Sequence, residues 1–403
     1  MDCLYQEDEK SAKRNQEDEK SAKIKVIGIG GAGGNAVNNM IDSNLQGVKF
    51  IVANTDLQAL ETSKAPEKIQ IGEILTEGLG AGADPRIGRD AALENAEAIR
   101  EALADSHMVF ITAGLGGGTG TGAAPVVAEI CKELGALTVA VVSKPFSFEG
   151  KKRSQLAEEG MNELRDVADT VITIPNDRLR GVAPKGAKMI DMFLKADEIL
   201  RHSVKGITDL ILVPGYINLD FADVKTTMAK AGMALMGIGI ASGENRAKEA
   251  AERAISHPLL EDISISGARA VLLNISSSSD VTIEEITEAS DLIHDEVGED
   301  AEIFWGTVFD ESLGDEMRVT VIATGIGGTP DAGISSSAGG LRGKIRDITP
   351  TDLKYADNFE EPTFIRHKKA AGESTGSTYR GYKGLVVDND DLDIPTFLRK
   401  KAD

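Results

Sequence analysis

Between Ile24 and Asn176 the chain alternates apolar runs with amphipathic segments, and the apolar runs end in glycine or in small polar turns. "IKVIGIG", "VKFIVANTD", "HMVFITAG", "LTVAVVSKP" and "DTVITIPN" read as strands. "NAVNNMIDSNL", "RDAALENAEAIREAL", "APVVAEICKEL" and "QLAEEGMNELRDVA" read as helices. Strands joined by helices of this length close right-handed βαβ units, so the expected fold is α/β with a mainly parallel sheet. In such sheets ligands bind beyond the carboxyl ends of the strands, which is where the glycine-rich segments fall.

A long helix is expected over 187–204, then a strand in "DLILVP". A second αβ region begins near 220, with strands in "MGIGIASG", "ARAVLLNIS", "EIFWGTVF" and "RVTVIATG". Its helices are "NRAKEAAERAIS" and "TIEEITEASDLIHDEV". These boundaries divide the chain into a charged arm (1–23), a first domain (24–206), a second, smaller α+β domain (207–329), a linker without sustained periodicity (330–388) and a terminal peptide (389–403).

Composition removes several function classes. No run approaches the roughly 18 apolar residues of a membrane span, and the charged N-terminus is not a secretory signal. Cys3 and Cys131 are the only cysteines, form no metal-ligand cluster and fit a reducing cytoplasm. A net charge of −21 argues against nucleic-acid binding. It leaves an anionic ligand open, because backbone amides can hold phosphate with few basic side chains. The arm carries "QEDEKSAK" twice, at 6–13 and 16–23, and reads as a solvated extension. In the tail, "PTFIRHKK" (362–369) nearly repeats "PTFLRKK" (395–401), the pattern of a docking peptide in two copies.

Two segments carry phosphate chemistry. In "GIGGAGGNAV", Gly28, Gly30 and Gly33 satisfy G-x-G-x-x-G after a strand, with Asp56 further on. Taken alone, that spacing fits a nicotinamide or flavin site, or simply a tight strand–helix turn. The second segment, "GLGGGTGTG", holds six glycines in 114–122, with Thr119 and Thr121 between them. Consecutive glycines present bare N–H groups, and the following helix, expected from about Ala123–Pro125, turns its positive end toward the same place. This is no Walker A loop, since no lysine follows. Two such loops in one sheet, with "NTD" (Asn54, Asp56) and "GLGAGADP" (Ala81, Gly82) beside them, suit a nucleoside triphosphate better than a dinucleotide.

Two further constellations are ambiguous on their own. Along 187–204 the apolar face is Ile190, Phe193, Leu194, Leu200 and Val204, and Asp197 falls on it. The pair reads either as a core Phe and an edge Asp, or as a base site in which Phe193 stacks and Asp197 accepts from the N1–H and amino group of guanine. Asn218, Asp220 and Asp223 crowd a strand–helix junction; they either cap a helix or orient water and a cation. At 1.5 Å per residue the long helix holds them about 25 Å from the base site, out of reach of the phosphates in one molecule.

Together these segments resemble the FtsZ family, relatives of tubulin, from about Lys23 to Gly328 and again at the terminal peptide. "GGGTGTG" at 116–122 is specific to the tubulin/FtsZ superfamily and "NLDFADV" at 218–224 to the FtsZ branch. The resemblance implies a cytoplasmic, self-assembling GTPase that forms head-to-tail filaments at the mid-cell division site. It places GTP or GDP, with Mg²⁺ and K⁺ as candidate cations, on Gly30, Gly31, Ala32, Gly33, Gly34 and Asn35 and on Gly116, Gly117, Gly118, Thr119, Gly120, Thr121 and Gly122. Ala81 and Gly82 stand by the γ-phosphate, Glu149 and Arg153 by the ribose, and Asn176, Phe193 and Asp197 by guanine. Asn218, Asp220 and Asp223 of the next subunit complete the catalytic site. Asp391–Lys401 is expected to bind membrane-anchor and regulatory division proteins of the FtsA and ZipA types, with Pro362–Lys369 as a second, weaker docking segment. Neither nucleic acid nor direct membrane insertion is implied. The other readings are a nicotinamide-dependent oxidoreductase and a tubulin-like scaffold without turnover.

Overall fold

A computed structural model describes residues 22–181, 186–213, 215, 217, 219–229, 232–260, 265, 267–298 and 301–326, with two short strands at 379–380 and 386–387. The repeated arm up to residue 21, Asn218 and both tail peptides lie outside the described residues.

The β-branched runs pair into one ten-stranded sheet: β1 (Ile24–Ile29), β2 (Val48–Asn54), β3 (Glu67–Gln70), β4 (Met108–Gly114), β5 (Leu137–Lys144), β6 (Thr170–Pro175), β7 (Gly232–Ser242), β8 (Ala270–Ser277), β9 (Glu302–Phe309) and β10 (Glu316–Thr324). The order is β3-β2-β1-β4-β5-β6-β7-β10-β8-β9. From β3 to β7 every pair is parallel, as expected, and the strand order reverses beside β1, between β1 and β4. The second half is mixed: β10 runs antiparallel to β7 and β8, and β9 parallel to β8. The two halves are continuous through β6–β7, joined over Thr170↔Gly232, Val171↔Met233 and Ile172↔Ala234.

The helices that matter for the site are α1 (Gly30–Asp42), α2 (Pro85–Glu94), α3 (Thr119–Glu133), α4 (Lys151–Val167), α5 (Met189–Leu212), α6 (Phe221–Met228), α7 (Arg246–Ile255) and α8 (Ile283–Val297). Ala123, Ala124, Val127 and Cys131 of α3 and Met161 and Leu164 of α4 pack on one face of the first half, against Ile27, Ile111 and Val142. On the other face α5 buries Ile199, Leu200, Val204 and Ile207 against Val141 and Ile172 and against Met236, Leu272 and Ile322 of the second half. Each such aliphatic burial contributes about 1.5–3 kcal/mol, so α5 is the strut that both halves share. Helices α7 and α8 cover the second half through Ala250, Ala254, Ala289 and Ile293.

Four expectations are corrected. The long helix does not stop at 204 and no strand follows: it continues to Leu212 through "DLILVP". Ile207 and Leu210 extend the buried face of Val204 at three-residue steps, and Lys205 pairs with Asp209 one turn away. A short Ile/Leu/Val run fits either element by periodicity alone. Helices α1 and α3 begin at Gly30 and Thr119, ahead of Asn35 and Ala123, so Gly30–Gly34, Gly120 and Gly122 lie in helical turns, while Gly116–Gly118 stay in the preceding turn. Pro125 therefore lies inside α3, where it offers no N–H to the Thr121 carbonyl. The expected helix over 89–103 is broken at Asn95, whose side chain accepts from Gly72 N–H at 2.7 Å. Finally, the segment expected to lack structure contains a small antiparallel ladder, Tyr379–Arg380 on Val386–Val387. The aromatic and β-branched residues of "YRGYKGLVV" around glycine carry that hairpin pattern.

Candidate nucleotide site

The crevice lies where β1, β2 and β4 end. The first four N–H groups of a helix have no partner within it, so a helix start needs a cap, water or a ligand. Neither α1 nor α3 has a side-chain cap or an acidic residue in its first turn. The two starts adjoin: a Cβ added at Gly30, whose φ is +70°, would stand 3.0 Å from Gly120 N. Two uncapped positive ends, each equivalent to roughly half an elementary charge, thus face one space. The rim is tied down by hydroxyls and loops. Thr55 Oγ1 meets Thr119 Oγ1 at 2.7 Å, and Gly80 N–H donates to Thr55 O at 3.3 Å. Ala81 is buried behind Gly118.

For several of these glycines the chain itself, and not a polyphosphate against the backbone, is what requires the missing side chain. A Cβ at Gly28 would lie 2.4 Å from Gly33 O, and one at Gly33 2.4 Å from Thr112 O. These two let α1 lie tightly on the sheet. At Gly120 it would lie 2.6 Å from Gly114 O, at Gly122 1.9 Å from Pro85 O, and at Gly118 2.8 Å from Ala81 Cβ. Only open space surrounds Gly31 and Gly82, and nothing closer than 3.9 Å approaches Gly117. The N–H of Gly116 is already used, donating to Thr121 Oγ1 at 2.8 Å, so Thr121 holds the loop rather than lining it. A methyl group at Gly122 should therefore cost about 1–3 kcal/mol of stability by overpacking. The same change at Gly31 should leave the melting temperature unaltered and act only on what the crevice binds. Thermal denaturation of Gly122→Ala and Gly31→Ala, with and without ligand, checks both.

Asn54 and Asp56 stand at the carboxyl end of β2, where both are committed locally. Asp56 caps the short helix Leu57–Glu61, accepting from Gln58 N–H at 2.9 Å and Ala59 N–H at 3.2 Å. Asn54 Oδ1 accepts from Asp56 N–H at 3.3 Å.

Beyond β5 and β6 a second set of groups gathers at the start of α5. Phe193 meets the buried ring of Phe146 edge to face, with centroids 5.3 Å apart, and Phe146 stacks on the exposed Phe148 at 5.1 Å. Glu149 accepts from Phe146 N–H at 2.9 Å and pairs with Arg153, whose guanidinium reaches toward Gly117. Asn176 opens the short helix Asn176–Leu179, and Leu179 shares a core with Ala196 and Leu200 of α5. Two acceptors here are unanswered. Asn176 is only 4% exposed and its Oδ1 has no partner, while the half-buried Asp197 has none among the described residues. Burial pushes the Asp197 carboxyl up to about 6. A buried and a half-buried acceptor without donors are what a ligand with donors would answer. Sequence reasoning overlooked Thr55, inside "ANTD", and Phe146, inside "KPFSFE"; both act through tertiary contacts that no local pattern announces.

The acidic turn is elsewhere. Asp220 is the N-cap of α6: its Oδ1 accepts from Asp223 N–H at 2.8 Å, and Asp223 Oδ2 accepts from Asp220 N–H at 3.3 Å. The capping reading is thus correct, yet among the described residues nothing donates to Asp220 Oδ2 or Asp223 Oδ1. Phe221 packs its ring 6.0 Å from His107, which precedes β4, and Leu212 packs over Gly47, which precedes β2. The turn therefore sits at the amino ends of the strands. Across the seven residues of β4 it is about 20 Å or more from the glycine loops.

A doubly wound sheet with two uncapped, glycine-built helix ends at its switch point is the architecture of a nucleotide-binding protein. The chain belongs to the tubulin/FtsZ family: the model of the family's GTPase domain matches residues 23–184 and that of the FtsZ C-terminal domain residues 232–327. Its curated relatives include the cell division protein FtsZ of Pseudomonas aeruginosa, 47% identical over 388 residues that cover 95% of this chain and 97% of that protein. FtsZ of Coxiella burnetii is 48% identical, covering 94% and 96%. Among solved structures, an FtsZ dimer from M. jannaschii superposes with a TM-score of 0.74 at 46% identity, covering 79% of this chain and 92% of that one. CetZ2 of Haloferax volcanii, 22% identical with a TM-score of 0.65 over 75% and 93%, shares the fold. The chain is a GTPase that binds guanine nucleotide, and the nicotinamide reading of Gly28–Gly33 falls away.

Proposed function

We propose that this chain assembles head to tail in the presence of GTP and hydrolyses it at each junction, as the filament-forming component of a division ring. One observation carries the reading: the amide crevice and the free carboxylate oxygens occupy opposite ends of one molecule. A second copy is needed to bring them together. Such a contact is heterologous and does not close, so it propagates as a filament. The exposed apolar side chains support an interface there: Leu57, Ile74, Leu75 and Leu79 flank the crevice and Met189, Ile190 and Leu194 open α5, while Ile217 lies beside the acidic turn.

In the assembled site the segments Gly30–Asn35 and Gly116–Gly122 hold the phosphates through the backbone N–H groups that the chain leaves unpaired, with Thr121 bracing the second segment, and Ala81 and Gly82 meet the γ-phosphate. Glu149 and Arg153 hold the ribose side, and Asn176, Phe193 and Asp197 the guanine. Asn218, Asp220 and Asp223 of the next subunit orient the attacking water. Phosphoryl transfer depends mainly on positioning and charge neutralisation, which suits a site switched on by a neighbour. Among the described residues no cluster of three or more ligating side chains could cage a metal ion. Mg²⁺ is therefore expected on phosphate oxygens and water, shielding them from the arriving carboxylates, with K⁺ as a second candidate. Light scattering should rise on adding GTP and not GDP; a flat trace with GTP contradicts assembly.

No described helix is long and apolar enough to cross a membrane. We place the protein in the cytoplasm at mid-cell, tethered by anchor and regulatory proteins that bind Asp391–Lys401, with Pro362–Lys369 as a weaker second segment. Two linked segments raise avidity through effective concentration. Deleting 362–369 should weaken binding to a clustered anchor about tenfold or more, and to a monomeric anchor much less. Equal losses in a surface-binding assay with both anchor forms would remove the second segment from the scheme.

A further inference from the structure

Thr55 is fully buried where β2 gives way to the short helix Leu57–Glu61, and its main chain and side chain go to different partners. Its carbonyl accepts from Gly80 N–H at 3.3 Å and from Thr76 Oγ1 at 3.3 Å. Leu57 N–H donates to Gly78 O at 3.1 Å, so the loop that leads to Ala81 and Gly82 hangs on the backbone of this turn. That loop needs holding. Glu77, Gly78, Gly80, Gly82 and Ala83 all have φ between +50° and +89°, a region that Glu and Ala enter only when their surroundings enforce it. The Thr55 side chain goes the other way: its Oγ1 meets Thr119 Oγ1, the first residue of α3, at 2.7 Å.

Burial decides the direction of that bond. A hydroxyl carries one proton and two lone pairs. Thr55 is 0% exposed, so water cannot take its proton, and Thr119 Oγ1 is the one partner of its oxygen among the described residues. Leaving a buried donor unused is the costly alternative, so Thr55 donates and Thr119 accepts. Thr119 is half-buried and stands beside the uncapped start of α1, where a Cβ added at Gly30 would lie 3.4 Å from Thr119 Cβ. Its own proton has no acceptor among the described residues. The pair therefore ends in a free O–H at the crevice, and the first bond polarises it toward donation.

We propose that Thr55 is a positioning residue for the phosphates: by donating to Thr119 it turns the Thr119 hydroxyl outward as a fixed donor to a phosphate oxygen of GTP. Its carbonyl meanwhile keeps the Gly80–Gly82 loop in register with that donor. The inference rests on the proposed seat of the phosphates at Gly116–Gly122. The test measures the GTP affinity of the full chain, too dilute to assemble, together with its melting temperature. Thr55→Val keeps the shape and removes the proton, and should weaken GTP about 3- to 10-fold. Thr55→Ser keeps the hydroxyl and loses the methyl group, and should bind within about twofold of the parent. Thr119→Val should weaken GTP about 10- to 100-fold and lower the melting temperature, because it strands the buried Thr55 hydroxyl. Adding Thr55→Val to Thr119→Val should cost no further affinity and should raise the melting temperature again, since two apolar groups then replace the pair. Unchanged affinity in Thr55→Val, equal losses in Thr55→Val and Thr55→Ser, or losses that add in the double variant overturn the positioning role and leave the phosphate seat standing. Unchanged affinity in Thr119→Val overturns the seat as well.

Discussion

Replacing Asp223 with alanine should lower GTP turnover by about 100- to 1000-fold, the scale of a lost water-orienting or proton-accepting group. Nucleotide affinity should stay within about threefold, because the same residue of the same chain lies at the far end from its own crevice. The change has a structural side, since Asp223 Oδ2 accepts from Asp220 N–H. Losing one arm of a capping box costs about 1 kcal/mol. Asp223→Asn separates the two roles, since its amide oxygen still accepts that bond while the charge is gone. It should match the alanine variant in turnover and the parent in melting temperature. In mixtures, Asp223→Ala subunits should silence the GTP of the wild-type neighbour they abut. Turnover should then fall faster than the wild-type fraction if the variant also stalls filaments, and never slower.

The second large effect lies at Asp197. Truncating a charged acceptor that the bound ligand covers costs about 2–5 kcal/mol of binding, so Asp197→Ala should raise the Kd for GTP by roughly 30- to 5000-fold. The preference for GTP over ATP should largely disappear, because adenine presents an acceptor at N1 and no 2-amino group. Stability should move the other way. Burial lifts this carboxyl to about 6 in the empty protein, so its ionised form is disfavoured by folding at neutral pH. Asp197→Asn should leave the empty protein as stable as the parent or more so, which excludes misfolding as the cause of weak binding. The same shift sets a pH dependence. Guanine needs the ionised acid, so affinity should be flat above pH 6 and fall toward tenfold per unit below it. Titration calorimetry of GTP from pH 7.5 down to about 5 reads the slope, and Asp197→Asn should abolish it.

Much of the fold is legible in the sequence itself. Strand periodicity located β1, β2, β4–β6 and β7–β10 because each is a continuous or alternating apolar run bounded by turn residues. The glycine-rich segments of the crevice show through their clustering alone. What escaped was tertiary in origin. Glycine disfavours helix interiors, so the first turns of α1 and α3 read as loops, although the packing of Gly33 and Gly120 against neighbouring backbone holds them helical. The extension of α5 through Leu212 depends on the core beneath Ile207 and Leu210, not on local preference. The division of glycines into those that pack, such as Gly122, and those that face open space, such as Gly31, depends on segments far away in sequence. Likewise, Asp220 and Asp223 first presented capping and catalysis as alternatives. The geometry allows both, since each carboxylate uses one oxygen in the box and leaves the other free.

The most direct measurement is GTPase rate per molecule as a function of protein concentration, under fixed GTP and salt. A crevice that lacks its acids until a second copy arrives predicts negligible turnover at high dilution, then a rise above a threshold that coincides with the onset of light scattering. Full specific activity in a solution too dilute to associate, with sedimentation showing single chains only, would contradict it.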